Sequence, residues 1–292
     1  MEYWIQVIID GLLTGSIYAT IAVGLSLSFG VMRVFNWAHG EFFMMAMYLS
    51  FVVIKGLNMN PYLAAVIVVP LMVLVAWLVQ KFLLNPLIKK AKDREVMSVL
   101  ITTAGLSYIL ENLATLIFTA NSKSVTTFVT GKSINIGDIY ISIPKIVAMC
   151  CTIMITLGLQ YFLNKTRHGR ALKCTSQDRE VAQLMGMNNW AYYCLALCIG
   201  FACIGWAACE TVSMYSIIPT LGATFGFKSL VVVVLGGKGS VTGALLGGLI
   251  VGVVEAIGGS LLNMNYAQMF IFAVFIIVLV FKPNGLLSND RG

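Results

Sequence analysis

The chain has 292 residues, of which 59% are hydrophobic and 11% are charged, and its net charge is +7 at neutral pH. A soluble globular domain is about 45–50% apolar and about 25% charged, so this composition excludes an ordinary water-soluble fold and indicates a lipid environment. The basic residues form short clusters between apolar runs, a pattern typical of cytoplasmic loops and not of a nucleic-acid-binding surface.

Apolar segments long enough to cross a bilayer recur along the whole chain. They predict an all-α, polytopic transmembrane bundle of about eight or nine spans, forming a single domain over residues 1–292. The first span has no basic leader and contains Asp10, so we expect it to be retained and not cleaved as a signal peptide. The seventh is interrupted by a proline, two glycines and a lysine, which favours a broken or re-entrant segment buried in protein. The predicted spans are 5–30, 37–55, 62–84, 97–120, 146–164, 190–213, 218–235, 241–262 and 266–281.

The distribution of Lys and Arg predicts the orientation. If the loop at 85–95 is cytoplasmic, fourteen basic residues lie inside and five, including Lys228, lie outside. This excess predicts an external N-terminus and a cytoplasmic C-terminus. The long loop 121–145 is then external, and its alternation of isoleucine with polar residues predicts a small β-hairpin. The long loop 165–189 is cytoplasmic.

Several kinds of chemistry are missing from the sequence. The text nearest to a P-loop, around Lys238, has glycine after the lysine and lacks the upstream glycine, so ATP must be hydrolysed by other subunits or not used. The two histidines, His39 and His168, cannot form an HExxH zinc site, and no G-x-S-x-G nucleophile motif is present. The seven cysteines lack metal-ligand spacing, and we interpret them as packing residues. We therefore expect no catalytic residue, metal or cofactor in this chain.

The loop 165–189 contains a recognisable motif. Its residues from Glu180 to Gly186 fit the EAA-x-x-x-G pattern of ABC importer permeases, with Val181 in place of the first alanine. A short helix can end at Gly186 in the left-handed conformation and press its small face into a partner. An ordinary solvated amphipathic loop is the alternative. The candidate residues for coupling to an ATPase are Arg170, Asp178, Glu180, Ala182 and Gly186.

Further segments extend this likeness over nearly the full length. They are Gly11-Leu12, Gly15–Ala19, Phe35–Glu41, Gly169–Leu172, Asp178, Gly186–Asn188, Leu235–Ser240, Gly243-Ala244, Gly247–Leu249, Gly252, Glu255 and Lys282–Leu286. In these segments the chain resembles the LivH-type permeases of branched-chain amino acid ABC transporters, from which it departs at Trp37, Val181 and Lys238. The resemblance implies a bacterial inner-membrane subunit paired with a second related permease. It also implies two cytoplasmic ATP-binding subunits that use the ATP, and an external substrate-binding protein.

Residues near the first two spans are candidates for the substrate pathway. Asn36 is a good N-cap, and the positive end of the following helix could face an anionic substrate group. The alternative is a capped helix start at the cytoplasmic surface, which the predicted spans favour. In the first span, small residues recur at four-residue spacing, so packing is the alternative to a pathway role there. The candidates are Ser16, Tyr18, Asn36, His39, Gly40 and Glu41.

One face of the eighth span carries Gly248, Gly252, Glu255 and Gly259. Three glycines on one face predict close helix packing. Because a carboxylate is expensive in the membrane, we expect Glu255 to have a partner inside the bundle, with a role in transport as the alternative. Glu111-Asn112 in the fourth span is open to the same two interpretations.

The leading hypothesis is an ABC permease for branched-chain or similar small aliphatic amino acids. The same machine could instead import urea or short amides. An ion-coupled secondary transporter or a channel is a different class, and it would need no cytoplasmic ATPase dock. The motif in the loop 165–189 is the feature that separates these classes.

Overall fold

The computed structural model describes residues 2–91, 95–125, 133–136, 139–262, 266–282 and 285–287. Twelve α-helices and two strands account for most of these residues. Their bounds are α1 Glu2–Met32, α2 His39–Leu57, α3 Pro61–Leu78, α4 Asn85–Ala91, α5 Glu95–Phe118, β1 Ser133–Ile136, β2 Ile139–Ser142, α6 Ile143–Lys165, α7 Arg167–Gln177, α8 Arg179–Leu184, α9 Asn189–Thr211, α10 Leu221–Gly236, α11 Val241–Leu261 and α12 Ala267–Phe281. Some residues used above for the orientation and the family likeness lie outside the described ranges, namely Lys92, Arg94, Lys132, Pro283, Asn284 and Arg291.

The helices confirm the predicted polytopic bundle. Seven helical segments in the described part of the chain are long and apolar enough to cross a membrane, and α10 and α12 are shorter apolar helices. The sixteen residues of α10 span about 24 Å at about 1.5 Å per residue, less than the roughly 30 Å hydrocarbon core. The seventh span is therefore short, and residues 212–220 lead into it. Gly222, Gly226 and Lys228 do not interrupt it as expected, because α10 is one continuous helix through all three.

The third span continues further than predicted. We expected it to end at residue 84 before a loop, but a π-helical segment, Val79–Leu84, joins α3 directly to α4. Pro86 cannot donate a backbone hydrogen bond, and a π-helical turn accommodates such a residue without ending the helix. The Gln80 side chain donates to Asn85 Oδ1 at 2.8 Å across this segment.

The centre of the bundle is the close crossing of α1 and α11. A methyl group added at Gly15 would lie 2.5 Å from the Gly248 carbonyl oxygen, and one at Gly248 would lie 2.6 Å from Ala19 Cα. Gly252 packs against Gly11 and Gly15 in the same way. Small residues on both helices thus let the two backbones touch. Gly259 lies at the end of α11, where it is half-buried.

The expected hairpin is present beside the N-terminus. Strands β1 and β2 pair antiparallel, with Ile134 opposite Ile141. The Gln6 side chain bonds both backbone groups of Tyr140, at 2.7 and 2.9 Å. The loop and the N-terminus therefore lie on the same side of the bilayer, as the basic-residue distribution predicted. Residues 126–132 and 137–138 of this loop lie outside the described ranges.

Candidate functional site

Helix α2 begins deep inside the bundle and not at the membrane surface. The His39 ring Nε2 lies 3.2 Å from the Ile21 carbonyl oxygen, and Ile21 is eleven residues before the end of α1 at Met32. Eleven residues at about 1.5 Å place His39 roughly 16 Å from that end, near the middle of the hydrocarbon core. The Trp37 amide also bonds Thr103 Oγ1 at 3.1 Å, within the membrane span of α5. The surface position favoured by the predicted spans is therefore wrong.

The start of α2 also differs from the predicted cap. Ala38 is the N-cap residue and makes no side-chain cap bond, while Asn36 lies two residues earlier and its Oδ1 accepts from the Ala38 amide at 3.1 Å. At this helix start the His39 amide bonds the Asn36 carbonyl at 3.3 Å, and the Phe42 amide bonds the Ala38 carbonyl at 3.0 Å. Among the described residues, no acceptor pairs with the amides of Gly40 or Glu41. Unpaired amides and the helix dipole make this end of α2 partially positive.

A cavity of about 290 Å³ lies at this helix start, between α2, α5 and α10. Glycines let α10 pack closely against the start of α2 here, because a methyl group at Gly226 would lie 3.0 Å from Gly40 Cα and one at Gly222 would meet the Glu41 carboxyl group. The polar lining residues are His39, Glu41, Ser107 and Glu111. The large apolar and aromatic lining residues are Phe35, Trp37, Tyr108, Phe227 and Leu230.

Two carboxyl groups share this cavity. Glu41 is only 4% exposed, and its Oε2 has no hydrogen-bond partner among the described residues. Glu111 is half-buried in the facing wall, close enough for its charge to repel that of Glu41. His39 is buried against Phe201, and its Nδ1 is also unpaired in the described structure. The cavity therefore combines acidic groups with the positive end of a helix.

The two candidates in α1 are placed differently. The Ser16 hydroxyl donates to the Leu13 carbonyl at 2.6 Å, and the Ser16 carbonyl accepts from Thr152 of α6 at 3.0 Å. Ser16 is fully buried by these contacts and holds α1 against α6. Tyr18 is also buried, and its hydroxyl accepts a hydrogen bond from Lys228 at 3.0 Å.

Lys228 is the partner that Glu255 was expected to have. Its Nζ lies 2.6 Å from Glu255 Oε1, and the two side chains are 9% and 18% exposed. The ammonium group also lies 4.7 Å from the centre of the Tyr18 ring. Counting Lys228 as an external basic residue was wrong, because α10 carries it inside the bundle. The ion pair and the tyrosine together connect α1, α10 and α11.

Comparison with known proteins decides the family. Residues 7–279 match the model of the branched-chain amino acid transport system permease component. The chain belongs to this family.

The permease is similar to two curated relatives over almost its whole length. This chain is 32% identical to the high-affinity branched-chain amino acid transport system permease protein BraD of Pseudomonas aeruginosa, over 99% of this chain and 97% of BraD. It is 31% identical to LivH of Escherichia coli K12 over the same shares. Among solved structures, PsaBC from Streptococcus pneumoniae in complex with Fab shares the fold with a TM-score of 0.51 and 14% identity, over 94% of this chain and 91% of that chain. The protein is thus a multi-pass permease subunit of the inner membrane.

In the loop at 165–189, α7 and α8 follow each other with only Asp178 between them. Asp178 is the N-cap of α8, and its Oδ1 accepts from the amides of Glu180 and Val181 at 2.8 and 3.1 Å. The helix ends with the Met187 amide on the Ala182 carbonyl and the Gly186 amide on that of Gln183, which is a Schellman motif. Gly186 has φ +79°, the left-handed conformation expected for it.

The exposed face of α8 differs from the one we expected. Ala182 is 2% exposed and packs inward, so it presents no small surface to a partner. Leu184 and Met185 instead project outward, with 87% and 77% of their surfaces exposed, next to a half-exposed Val181. Arg170 and Glu180 are also exposed. Packing decides this arrangement, because the smallest side chain of the helix fits the closest contact with the rest of the chain.

Polar contacts hold α7 and α8 on the membrane helices. Arg179 of α8 pairs with Glu95 at the start of α5, with an N–O distance of 3.0 Å. Arg33, just after α1, donates to the carbonyls of Ser176 and Gln177 at 3.1 and 2.7 Å. A displacement of α8 would therefore act on α5 through Arg179, and a displacement of α7 would act on the end of α1 through Arg33.

Sequence reasoning missed three members of these sites. Lys228 was placed in the seventh predicted span but counted as an external charge, and Leu184 and Met185 were overlooked because the motif emphasises small residues. Glu111 was noted with two interpretations open, a buried partner or a role in transport. The available signal for Lys228 and Glu111 was their position within apolar spans, because intramembrane ionisable residues are rare and functional.

Proposed function

We propose that this permease, together with a second permease subunit, forms the pathway for branched-chain or similar small aliphatic amino acids in an ABC importer. The observation that carries the proposal is the acidic cavity at the buried start of α2. A broken membrane helix that ends near the midplane is a common way for a transporter to present backbone groups to a substrate. The relatives BraD and LivH are named as branched-chain amino acid transport permeases, which favours the same cargo.

The surface around this cavity supports a second permease subunit as the neighbour. Trp37 and Tyr108 at the cavity are 54% and 68% exposed, and Glu111 lies beside them. The same helix exposes Asn112 and Thr115. A charged group facing lipid at this depth costs about 2.5–3.5 kcal/mol. A protein neighbour that closes a polar pathway along α5 removes that cost.

The lining of the cavity favours an amino acid with an apolar side chain over urea. Urea is wholly polar and needs only hydrogen-bonding groups. Here Phe227 and Leu230 of α10 and Trp37 add apolar surface to the same cavity as the carboxyl groups. A volume of about 290 Å³ is at the lower end of ligand pockets, about 300–1,000 Å³, and suits a small molecule.

The energy for transport is supplied by partners in this proposal. The exposed apolar residues Val181, Leu184 and Met185 of α8 form a projection that suits a groove on a cytoplasmic ATP-binding subunit. Such a subunit would use the ATP, and an external substrate-binding protein would deliver the cargo. A loaded binding protein can promote hydrolysis only by binding the hydrolysis-competent state of the complex more tightly.

Reconstitution in liposomes tests the proposal. The permease purified alone should neither bind nor hydrolyse ATP. With its second permease and two ATP-binding subunits, we expect ATP hydrolysis and leucine uptake to rise when leucine-loaded binding protein is added. If only a urea- or amide-loaded binding protein stimulates ATP hydrolysis, the ABC mechanism stands but the cargo is urea or a short amide. Uptake by this chain alone, driven by an ion gradient and indifferent to ATP, would overturn the ABC mechanism.

A further inference from the structure

We infer that the cavity at the start of α2 is an intramembrane binding site for a zwitterionic amino acid. In this site the Glu41 carboxylate accepts the α-ammonium group, and the free amides of Gly40 and Glu41 hold the α-carboxylate. The inference rests on the proposed function. It adds a site within the membrane that binds the transported amino acid after it leaves the binding protein.

The ammonium half of the site follows from an unmatched carboxyl group. Glu41 is 96% buried, lines the cavity, and has an Oε2 with no partner among the described residues. An ionised buried group without a counter-charge is unstable, and Glu111 in the opposite wall adds repulsion. No Lys or Arg lines the described cavity, and the nearby Lys228 is already paired with Glu255. A cationic ligand group with three N–H donors would satisfy both carboxylates.

The carboxylate half follows from the backbone. Helix α2 has nineteen residues, and its first turn carries the partial positive charge of a helix N-terminus. The amides of Gly40 and Glu41 have no acceptor in the described structure, and both residues line the cavity. Free N–H groups at a helix start bind carboxylates readily. The anionic and cationic subsites are therefore adjacent, as the two groups on one α-carbon require.

The apolar wall selects the side chain. Phe227, Leu230 and Trp37 lie around the same cavity and offer contact to an aliphatic group. An amine without a carboxylate would lose the helix contacts, and a fatty acid without an ammonium group would meet two carboxylates. The arrangement thus predicts that both charges of leucine contribute to binding.

Protection of a cysteine tests this prediction directly. Ala223 lines the cavity and is exposed, so Ala223→Cys should react with a thiol reagent in the reconstituted complex. Mass spectrometry reads the modification at residue 223 and separates it from the exposed native Cys150 and Cys174. We expect leucine to slow the labelling. Isopentylamine and 4-methylpentanoate, which each lack one charge, should need at least tenfold higher concentrations for the same protection.

Glu41→Gln in the Ala223→Cys background should abolish protection by leucine. Glu210→Gln is the matched control, because Glu210 is another buried carboxyl group that accepts from Trp206 at 2.7 Å, away from the cavity lining. If isopentylamine protects as well as leucine does, the site binds only the ammonium group. If 4-methylpentanoate protects as well as leucine does, the site binds only the carboxylate, at the start of α2. Either result overturns the zwitterion site.

Transport by the same variants separates this inference from the proposed function. We expect Glu41→Gln to lower the leucine taken up per ATP hydrolysed at least tenfold, while the control Glu210→Gln keeps this ratio within twofold of wild type. If wild type imports leucine and Glu41→Gln does so equally well, the site is refuted and the proposed function stands. If wild type imports no leucine, the proposed function fails first.

Discussion

Replacing Glu255 by leucine removes one member of a buried ion pair and leaves Lys228 without its carboxylate. The 2.6 Å separation of the pair corresponds to about 6 kcal/mol of gross attraction at an effective dielectric constant of about 20. Much of this offsets the desolvation of the two ions, so the net worth of the pair is small. Removing one partner is different, because an uncompensated buried charge costs about 3–5 kcal/mol.

The sharpest design compares single and double variants. We expect Glu255→Leu and Lys228→Met each to lower the thermal midpoint and the folded yield, and the double variant to recover most of the loss. Glu255→Gln should be milder than Glu255→Leu, because its amide oxygen still accepts a hydrogen bond from Lys228. Size-exclusion chromatography after heating measures the folded fraction of each detergent-solubilised variant.

The outcome of this cycle distinguishes an ion pair from simple packing. A double variant as unstable as the sum of the two single variants would refute the coupling between Lys228 and Glu255. So would a Glu255→Leu variant that folds like wild type, because Lys228 would then have another partner. Tyr18→Phe serves as a control, since it removes the hydrogen bond that Lys228 donates to Tyr18 but keeps the ion pair, and one hydrogen bond is worth about 1 kcal/mol.

Three further predictions concern other parts of the permease. Leu184→Asp should abolish binding-protein-stimulated ATP hydrolysis while the protein stays in the membrane, and normal stimulation would place the dock elsewhere. In intact cells, a cysteine at Ile134 should react with an impermeant thiol reagent while native Cys174 stays protected, and labelling of Cys174 would invert the orientation. Gly252→Val should lower folded yield severely, because even a methyl group there would overlap the α1 backbone; a well-folded variant would contradict the close α1–α11 crossing.

The sequence by itself determined the class and the family of this permease. It indicated about eight or nine spans, of which seven are long enough to cross a membrane in the described structure and two are shorter. These properties depend on local features, namely runs of apolar residues and the distribution of Lys and Arg. The hairpin around Ile134 and the left-handed Gly186 were likewise predictable, because alternation and glycine act over a few residues. The glycines of α11 indicated close packing, although their neighbour on α1 was not identifiable from spacing alone.

Only the tertiary structure decided how deep in the membrane the start of α2 lies and which distant residues pair with each other. The start of α2 lies near the midplane because Trp37 and His39 find acceptors on α5 and α1, which hydropathy cannot reveal. Lys228 and Glu255 are 27 residues apart, and their pairing depends on how α10 packs against α11. Ala182 faces inward for the same reason, since the closest contact takes the smallest side chain. Helix contacts in a membrane are set by fit between distant segments, and a linear pattern records the apolar character of each segment but not the neighbour it meets.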